Sequence, residues 1–564
     1  MAAQKIVVIG GSAAGAKAAA KARRLDQQAE ITIIQKEPDL SMAACGYPYY
    51  VGGVFNDRKM LLATPTGVVR DPTFFAKTKN IKAHTLTEAV AIDPRKKEIV
   101  CRDLKTAREW TIPYDKLILS TGASAVPLPV PGVELAGVTN LLSMADTDFL
   151  RTVRDEKKAS RAVVIGGGLI GVETCEALRV SGLDVALVEM APRILTFLDP
   201  QLAGLVENHM RGKGVKVLTG TALKGFLGEA GRLAAVRLQN DAIIDCEVAV
   251  VATGVRPNVQ LAKSAGLAIG ELGGIVVDEH MATSDPDIFA AGDCVEVEHL
   301  LTGRKVLAPM GDLANLQGRV AGENAATGGN IAFPGTIQTT ICKVFDFAAG
   351  SAGLTEEAAE RHGFSTISVV NASPDRPGFM GAGLLVSKIV AEKSSGRILG
   401  YQCVGSGDVS RQLATAAMAI QGGMTLGRLT CLDLPYAPPF SLAIDHFIAS
   451  AHILENKLKG RLKTITAAEV KERIGREPLP FLLDGRGPDE YEALRLGIGE
   501  RYIPLGALRD KLGELPADKD AEIICFCKIS LRGYETALIL EANGWTNVRV
   551  MEGGIMAWPY EREK

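Results

Sequence analysis

Two copies of a strand, a glycine-rich turn and a helix dominate the sequence. The first copy, "KIVVIGGSAAGAKAAAKARRL", begins at Lys5 and is followed by a second apolar strand, "EITIIQ", which ends at Gln35. The other copy, "RAVVIGGGLIGVETCEALRVSGLDVALVE", runs over residues 161–189. Glycines between an apolar strand and an alanine-rich helix form the arrangement that binds the pyrophosphate of a dinucleotide. The repeat therefore predicts an α/β fold with two Rossmann-like dinucleotide-binding domains.

The second copy contains all three glycines of the motif. Gly166 allows the tight turn, Gly168 lets the backbone approach a pyrophosphate, and Gly171 lets the helix pack closely on the strand. Glu189 ends the next strand, where a carboxylate would bond the ribose hydroxyls and repel a 2′-phosphate. We therefore expect a preference for NADH over NADPH, softened by the nearby Arg193.

The first copy departs from the motif at two positions. Ser12 stands where the second glycine is expected, between Gly10 and Gly15, and Gln35 stands at the usual acidic position. Either Gln35 bonds the ribose as a neutral amide, or the nearby Glu37 does so. The remaining cofactor contacts expected in the two copies are those of Ala14, Lys36, Ile170 and Glu173.

The composition excludes several classes of function. The 63 Lys and Arg nearly balance the 65 Asp and Glu in 564 residues, so the net charge is -2 and no nucleic-acid-binding surface is predicted. No apolar stretch approaches the length of a membrane span, and the chain enters its first strand at Lys5 without a targeting leader. Ten scattered cysteines predict neither a disulfide framework nor a metal site. We therefore expect a cytoplasmic protein in which a special cysteine acts as a thiolate.

Three further segments place Thr-Gly or Gly-Asp pairs at the ends of apolar strands. They are "LILSTGA" (117–123), with Thr121 and Gly122, "VAVVATGVRPN" (248–258), with Gly254, and "DIFAAGDC" (287–294), with Asp293. Together with the two glycine turns, they resemble the flavoprotein disulfide reductases that carry two dinucleotide-binding domains. The resemblance covers residues 1–450. It implies FAD on the first fold, NADH or NADPH on the second, and a bond from Asp293 to a ribityl hydroxyl.

Two further domains follow by resemblance. Residues 335–450, with strands such as "GLLVSKIVAE" and "ILGYQCVG", resemble the α+β dimerisation domain of that family, which implies a homodimer. After the basic segment "NKLKGRL" (456–462), a new α/β pattern resembles a rhodanese domain. The predicted bounds are 1–150 and 281–333 for the FAD-binding domain, 151–280 for the NAD(P)H-binding domain, 334–453 for the dimerisation domain, 454–463 for a linker and 464–564 for the rhodanese domain.

Cys45, in "SMAACGYPYY" (41–50), is a single cysteine where most such reductases have a Cys-x4-Cys pair. Tyr49 and Tyr50 stand four and five residues on, so no local disulfide can form. The oxidised sulfur must then be a sulfenic acid, a persulfide or a mixed disulfide with a small thiol. The sulfenic acid is typical of peroxide- and oxygen-reducing relatives, which commonly have a histidine at the position of Ser12. That alternative is weakened and stays open.

The stretch around Cys45 resembles that of coenzyme A disulfide reductases, which implies a mixed disulfide between Cys45 and coenzyme A. The same resemblance places Ser41 in the coenzyme A site and pairs Lys21 and Arg24 of "KARRLD" with coenzyme A phosphates. The alternative for these two cations is a solvated basic end of a helix.

The segment "LPYAPPFSLAIDH" (434–446) strengthens the resemblance. It implies that Tyr436 enters the partner subunit's site as an acid near Cys45, although a simple packed aromatic is the alternative. A second family tyrosine is expected near "RPGFMGAG" (376–383), where this sequence has Phe379 and Met380. This departure removes the tyrosine that would deliver a proton from that side.

Cys527 follows the strand "EIICF" and opens the loop "CKISLR", which runs into a helix. A thiolate at a helix N-terminus among backbone N–H groups has a lowered pKa, and Arg532 would bond the loop carbonyls or an anionic donor. The Cys-x4-Arg length suits a sulfur atom, whereas the Cys-x5-Arg loop of phosphatases wraps a phosphate, so we expect Cys527 to carry a persulfide. Asp484 and Arg486 match the buried pair of rhodanese domains. Cys525 and the remaining cysteines are expected to be buried and structural.

These features predict a homodimeric flavoenzyme that uses NADH to reduce coenzyme A persulfide, coenzyme A disulfide or polysulfide, with release of hydrosulfide. Cys45 would attack the substrate, and Cys527 would deliver sulfane sulfur. Two alternatives stay open. One is an NADH peroxidase or oxidase with an accessory rhodanese domain, and the other is a persulfide-trafficking or redox-sensing protein.

Overall fold

The runs of β-branched residues form short strands, and most of the glycine-rich segments form the turns that follow them. A computed structural model describes residues 3–563 of the chain. The chain forms two compact units. Unit 1 ends its first part at Met190 and resumes over Thr221–Thr336, whereas unit 2 consists of Ala191–Gly220 and the chain from Ile337 onward.

The strands, in chain order, are β1 Lys5–Ile9, β2 Glu30–Ile34, β3 Lys82–His84, β4 Thr87–Asp93, β5 Glu98–Asp103, β6 Glu109–Pro113, β7 Lys116–Leu119, β8 Ala123–Ala125, β9 Val138–Thr139, β10 Arg161–Ile165, β11 Asp184–Val188, β12 Val215–Leu218, β13 Leu223–Glu229, β14 Arg232–Leu238, β15 Ile243–Asp245, β16 Val248–Val251, β17 Val255–Pro257, β18 Ile275–Val276, β19 Ile288–Ala290, β20 Val295–Glu298, β21 Lys305–Leu307, β22 Thr340–Val344, β23 Phe347–Gly353, β24 Thr366–Pro374, β25 Leu384–Glu392, β26 Ile398–Gly405, β27 Thr464–Ile465, β28 Phe481–Asp484, β29 Arg501–Tyr502, β30 Ile523–Phe526 and β31 Val548–Met551.

The helices are α1 Ala13–Leu25, α2 Tyr47–Gly52, α3 Pro72–Lys79, α4 Met144–Asp155, α5 Leu169–Val180, α6 Pro200–Gly212, α7 Gln260–Ser264, α8 Gly311–Thr327, α9 Glu356–Arg361, α10 Val409–Gln421, α11 Leu426–Leu429, α12 His446–Leu458, α13 Ala467–Arg473, α14 Pro488–Ala493 and α15 Leu531–Ala542. Among residues 3–563, none of the helices combines the length and the apolar character that crossing a membrane requires.

Unit 1 contains two parallel sheets. The first has the strand order β19-β7-β1-β2-β3, and the second contains β11-β10-β16-β9 in that order. Each sheet places a glycine turn at the carboxyl end of its inner strand, β1 or β10, which is where an open α/β sheet binds its ligand. Both predicted dinucleotide-binding folds are therefore confirmed.

Helices α1 and α8 of unit 1 pack with their backbones in contact. A Cβ on Gly318 would lie 2.3 Å from the Ala14 carbonyl oxygen, and one on Gly322 would lie 2.3 Å from that of Ala18. The small residues of both helices permit this approach. It fixes the N-terminus of α8, which begins at Gly311, next to the first glycine turn.

Unit 2 contains an antiparallel sheet, β22-β23-β26-β25-β24, and a parallel sheet, β27-β31-β30-β28-β29. The first is the sheet predicted for the dimerisation domain, and the second is the α/β sheet predicted for the tail. The tail is defined here as residues 464–563.

The buried carboxylate of Glu552 joins the tail to the antiparallel sheet. It accepts hydrogen bonds from the N–H of Val370 in β24 (2.9 Å), from Lys457 Nζ in α12 (2.8 Å) and from Thr464 Oγ1 in β27 (2.6 Å). All three partners lie in different elements. A buried carboxylate satisfied in this way fixes the elements that it binds.

The predicted linker 454–463 is wrong for its first half, because α12 continues through Leu458. Its basic composition suggested a simple connection between domains, but Lys457 is the partner of Glu552. Residues 191–220 also depart from the prediction, since they belong to unit 2 rather than with the rest of 151–280. In this segment, the buried carboxylate of Asp199 binds Gln402 Nε2 (2.8 Å) in β26 and Lys388 Nζ (3.0 Å) in β25.

The cysteines largely follow the prediction. Cys175, Cys294 and Cys525 are buried, as expected for structural residues. The expectation is wrong for Cys431, which is exposed after the short helix α11.

Candidate active sites

The first glycine turn, between β1 and α1, depends on close backbone contacts. Gly10 has a φ of +99°, and a Cβ on Gly15 would lie 1.8 Å from the Gly10 carbonyl oxygen. Neither position tolerates a side chain. Gln35 is buried and accepts a 2.7 Å hydrogen bond from the Gly11 N–H, while its Nε2 donates to the Asp39 carbonyl (3.2 Å). The Gln35 amide therefore holds the turn in place.

The second turn, between β10 and α5, repeats this arrangement. Gly166 has a φ of +110°, and a Cβ on Gly171 would lie 1.9 Å from the Gly166 carbonyl oxygen. Glu189 Oε2 accepts a 2.6 Å hydrogen bond from the Gly167 N–H. In the first copy, Gln35 makes the equivalent bond to the Gly11 N–H. Glu189 thus has a structural task, and its contact with a ribose stays a prediction.

Open space at other glycines marks where a dinucleotide would lie. A Cβ on Gly122, Gly168 or Gly254 would meet no atom within 4 Å outside its chain neighbours. Asp293 follows β19, and its partial burial raises the pKa of the carboxyl. A half-buried carboxyl gains from a hydroxyl partner. These residues fit FAD at the first turn and a nicotinamide dinucleotide at the second.

The other predicted cofactor residues lie in or near the same turns. Ser12 and Ala14 stand at the start of α1, and Ile170 stands in the first turn of α5. Thr121 Oγ1 donates to the Asn258 carbonyl (2.6 Å). Two predicted cations are already paired: Lys36 with Glu88 (2.9 Å) and Arg193, in unit 2, with Glu357 (2.7 Å).

Cys45 lies in the short 3-10 turn Ala44–Gly46, which precedes α2. A Cβ on Gly311 would lie 3.4 Å from Cys45 Sγ, so the sulfur rests against the first residue of α8. All ten cysteines of the chain are free, and Cys101, the next along the chain, is buried in β5. Cys45 is therefore an exposed thiol without a local partner for a disulfide.

Acidic side chains oppose ionisation of this thiol. Although the Cys45 residue is exposed as a whole, its sulfur is partly enclosed, and this burial raises the pKa of Cys45. The negative charges of Glu173, Asp293 and Asp312 raise it further. Tyr49 Oη donates a 2.9 Å hydrogen bond to Glu173 Oε1, which links α2 to α5.

The residues predicted for coenzyme A differ in their surroundings. Lys21 forms a 2.8 Å ion pair with Glu323 of α8, and 14% of its side chain is exposed. Arg24 is exposed on α1. The Ser41 N–H donates to the Gly11 carbonyl (2.7 Å), which places Ser41 beside the first glycine turn. A phosphate bound by Lys21 would have to share it with Glu323.

Tyr436 lies in unit 2, in the irregular segment before α12, and is 55% exposed. Arg376 donates to the Pro439 carbonyl (3.0 Å) and Arg411 to that of Phe440 (2.7 Å), so the segment is held in place. Tyr436 is one of several exposed apolar residues in this part of unit 2, and exposed apolar groups mark protein contact surfaces. These residues are Phe379, Met380, Tyr436, Phe440 and Ile444.

The loop of Cys527 lies at the carboxyl edge of the parallel sheet in unit 2. Strands β28 and β30 are neighbours, with Asp484 opposite Phe526. Arg486 binds both carboxylate oxygens of Asp484 at 2.7–3.0 Å, and the pair is buried as predicted. Cys527 is also buried, and its carbonyl accepts a 2.9 Å hydrogen bond from the Ile555 N–H.

Arg532, the second residue of α15, binds a carboxylate that the sequence did not indicate. Its two terminal nitrogens donate to Glu490 at 2.6 and 2.8 Å. The pKa of Arg532 is raised foremost by its hydrogen bond to Glu490, with added contributions from the charge of Cys527 and a hydrogen bond to it. The bond from Arg532 is the main cause that lowers the pKa of Glu490 to about 2. The guanidinium is therefore bound to a fixed carboxylate, while its pKa also responds to the charge of Cys527.

Sequence reasoning missed three residues of the two thiol sites. Gly311 and Asp312 are the first residues of α8, and the pair "GD" at the start of this helix was an available signal. Glu490 had no signal, because it lies 42 residues from Arg532 and meets it only through the fold.

The three parts of the chain match known family models. Residues 4–311 match the pyridine nucleotide-disulphide oxidoreductases, and residues 339–447 match the dimerisation domain of that family. Residues 466–560 match the rhodanese-like domain.

Relatives of known structure or curated sequence agree with these matches. The solved structure of an NAD-dependent persulfide reductase from A. fulgidus is 41% identical, with a TM-score of 0.93, and the match covers 98% of this chain and 100% of that one. The NAD(P)H coenzyme A polysulfide/persulfide reductase of Pyrococcus horikoshii is 32% identical over 454 residues, 80% of this chain and 98% of the relative. An NADH oxidase of Methanocaldococcus jannaschii is 31% identical over 458 residues, 81% of this chain and all of the relative. The chain belongs to the pyridine nucleotide-disulphide oxidoreductase family and carries a rhodanese-like domain after the part that defines this family.

Proposed function

We propose that the protein is an NADH-dependent flavoenzyme that reduces the sulfane sulfur of coenzyme A persulfide, coenzyme A disulfide or polysulfide. One observation carries the proposal. An exposed single thiol, Cys45, lies among the residues that fit a dinucleotide, and the same chain holds a second special thiol, Cys527, in a rhodanese-type loop. A single thiol can form a mixed disulfide with its substrate but no internal disulfide.

The proposed step at Cys45 balances without a second cysteine. The Cys45 thiolate attacks the inner sulfur of coenzyme A persulfide, the bond between the two persulfide sulfurs breaks, and hydrosulfide leaves. A disulfide between Cys45 and coenzyme A remains. Two electrons and one proton then return the Cys45 thiolate and release coenzyme A as its thiol.

Bound FAD would supply those two electrons, taken from NADH. The chain contributes the surroundings of the thiol. Gly311 has no side chain and leaves room beside Cys45 Sγ. The turn of Gly10 and Gly15 is so tight that neither position has room for a side chain. Tyr436 of the partner subunit would supply the proton to the departing coenzyme A thiolate, which its exposed position permits.

The tail would supply sulfur to this centre. Cys527 takes a sulfane sulfur as a persulfide and passes it to coenzyme A or toward Cys45. Placing both thiols on one polypeptide raises their effective concentration. The site roles given to Lys21, Arg24, Ser41, Glu189 and Arg532 are part of this proposal.

The tail favours the reductase over the NADH oxidase or peroxidase alternative. The match to the persulfide reductase covers 98% of this chain, tail included, whereas the match to the NADH oxidase covers 81%. A carrier of sulfane sulfur has a use in persulfide reduction and none in the reduction of oxygen. In a trafficking or sensing protein, the electrons carried by dinucleotides at the two glycine turns would have no substrate to reduce.

We further infer a homodimer in the cytoplasm. The exposed apolar residues around Tyr436 favour burial against a second subunit. Ten free cysteines favour a reducing compartment. The proposed domains keep the predicted bounds, except that α12 extends to Leu458 and that residues 191–220 belong to unit 2.

The test compares the chain with its Cys45→Ser variant. NADH oxidation is followed without oxygen, with coenzyme A persulfide as substrate, and then with oxygen or peroxide alone. The variant is expected to keep FAD and NADH-driven flavin bleaching but to lose persulfide turnover. The mass of the unreduced protein should also show coenzyme A on Cys45. Turnover with oxygen or peroxide equal to that with persulfide would instead support the oxidase.

A further inference from the structure

The loop of Cys527 contains a single guanidinium, and a carboxylate of the chain already occupies it. Arg532 donates two parallel hydrogen bonds to Glu490, at 2.6 and 2.8 Å. This bidentate geometry is the one by which an arginine recognises an oxyanion. Glu490 therefore stands where the oxygens of an anionic sulfur donor would otherwise bind.

Glu490 is fixed in this position by the fold. Its Oε2 also accepts a 3.1 Å hydrogen bond from the Gly487 N–H, which closes the start of α14. The charge of Lys528, an exposed residue of the loop, acts on the same carboxylate. About one third of each side chain in the Arg532–Glu490 pair is exposed (33% and 31%), whereas Cys527 is buried. Both cations of the loop are thus balanced by one carboxylate.

We propose that Glu490 selects the sulfur donor of Cys527 by neutralising Arg532. Donors whose departing group carries at most one negative charge, such as thiol-bound sulfane sulfur, are accepted. Donors that release a dianion, such as thiosulfate, are disfavoured. This inference rests on the proposed role of Cys527 as a sulfur carrier.

The two classes of donor differ in what leaves. With a persulfide, the Cys527 thiolate attacks the outer sulfur, the sulfur–sulfur bond breaks, and a thiolate departs with one charge. With thiosulfate, the same attack expels sulfite with two charges. The second departure needs a free cation, and a guanidinium that is already paired provides little of that stabilisation.

The experiment measures transfer of sulfur to cyanide from two donors, thiosulfate and methanethiosulfonate. The first is a dianion that releases sulfite, and the second is a monoanion that releases methanesulfinate. Cyanide takes the sulfur from the Cys527 persulfide as thiocyanate and restores the thiolate, so the second half-reaction is common to both. The ratio of the two kcat/KM values therefore reports the charge of the donor and is not changed by a loss of folded protein.

Glu490→Gln removes the charge and keeps the shape of the side chain. We expect kcat/KM to rise roughly tenfold for thiosulfate and about threefold for methanethiosulfonate, because the Coulomb energy scales with the charge of the donor. The matched control is Glu492→Gln, which removes an equal charge from the same helix at an exposed position. The control should leave the ratio unchanged. An unchanged ratio in Glu490→Gln, or equal changes in both variants, would overturn the proposal.

A second measurement uses the unaltered chain and does not depend on the folding of a variant. Sulfate and methanesulfonate, which are unreactive, are tested as inhibitors of methanethiosulfonate turnover. We expect the dianion to inhibit no better than the monoanion. Inhibition by sulfate at a tenfold lower concentration would show a free oxyanion site at Arg532 and would overturn the proposal.

The Cys527→Ser variant separates this inference from the function on which it rests. Loss of turnover with both donors in that variant supports the carrier role of Cys527. The donor ratio of Glu490→Gln then tests donor selection independently of that role. Persistence of transfer in Cys527→Ser would refute the carrier role itself and, with it, the donor selection.

Discussion

Tyr49 donates a 2.9 Å hydrogen bond to Glu173, and this bond holds a carboxylate of α5 next to the helix that follows Cys45. The negative charge of Glu173 is one of three that raise the pKa of the thiol. Cys45 is thus placed where the chain itself resists ionisation of its thiol. An enzyme with a permanently ionised thiol would be open to oxidation between turnovers, and this arrangement restrains that reaction.

The charge of Glu173 can be removed while the shape of its side chain is kept. Glu173→Gln should lower the pKa of Cys45, because one of the charges that oppose the thiolate is lost. The rate of alkylation of Cys45 by iodoacetamide, followed by mass, should therefore rise at a lower pH than in the unaltered chain. Glu176→Gln removes a charge one turn further along the same helix and is the control. A midpoint that moves to higher pH would contradict the prediction.

The match between Gln35 and Glu189 suggests a change of cofactor preference without loss of fold. Glu189→Gln should keep the bond to the Gly167 N–H, as Gln35 does with Gly11, while removing the charge that repels a 2′-phosphate. The ratio of kcat/KM for NADPH to that for NADH should rise about tenfold, which corresponds to ~1.4 kcal/mol. Glu189→Leu loses both the charge and the bond and should bind either cofactor more weakly. An unchanged ratio in Glu189→Gln would show that Glu189 does not face the 2′ position.

Loss of the Cys527 thiol should not remove the reaction at Cys45. Cys527→Ser should abolish sulfur transfer from methanethiosulfonate and slow the use of polysulfide, because no other described residue of the tail holds a thiol in such a loop. Soluble coenzyme A persulfide should still oxidise NADH in this variant at near the normal rate, since it enters at Cys45. Both reactions are measured on one preparation, with Cys525→Ser as the structural control. Equal collapse of both reactions would mean that all sulfur passes through Cys527.

The buried pair of Asp484 and Arg486 supports the loop of Cys527. Asp484→Asn leaves the Arg486 guanidinium buried beside a neutral amide, and such a break costs about 3–5 kcal/mol. We expect the tail to unfold at clearly lower urea concentration, measured by the fluorescence of its Trp545 and Trp558. Asp489→Asn, at an exposed position three residues after Arg486, removes the same charge and should have little effect. Equal stability of the two variants would show that the pair is dispensable.

The nucleotide-binding turns could be predicted because their determinants are local. Gly10, Gly15, Gly166 and Gly171 each act within a few residues, through a positive φ or a contact with a neighbouring carbonyl. The strands on either side are continuous apolar runs, which are typical of buried parallel sheets. A pattern read along the chain therefore contains most of the information that sets this part of the fold.

Contacts between distant side chains could not be predicted in this way. Glu490 and Arg532 are 42 residues apart, and Tyr49 and Glu173 are 124 apart. The segment predicted as a linker failed for the same reason, since the partner of Lys457 is Glu552, 95 residues away. The charge pattern indicated a basic linker, and only the folded chain brings the buried carboxylate of Glu552 to Lys457.

Glu552 binds β24, α12 and β27 at once, and this has a consequence for proteolysis. The short connection between Leu458 and Thr464 is all that joins the two sheets covalently, yet the buried carboxylate joins them a second time. A protease that cuts this connection would leave the tail attached to the antiparallel sheet, and the nicked protein would still elute as one species. The tail would then unfold in the same thermal transition as the antiparallel sheet and not as an independent domain.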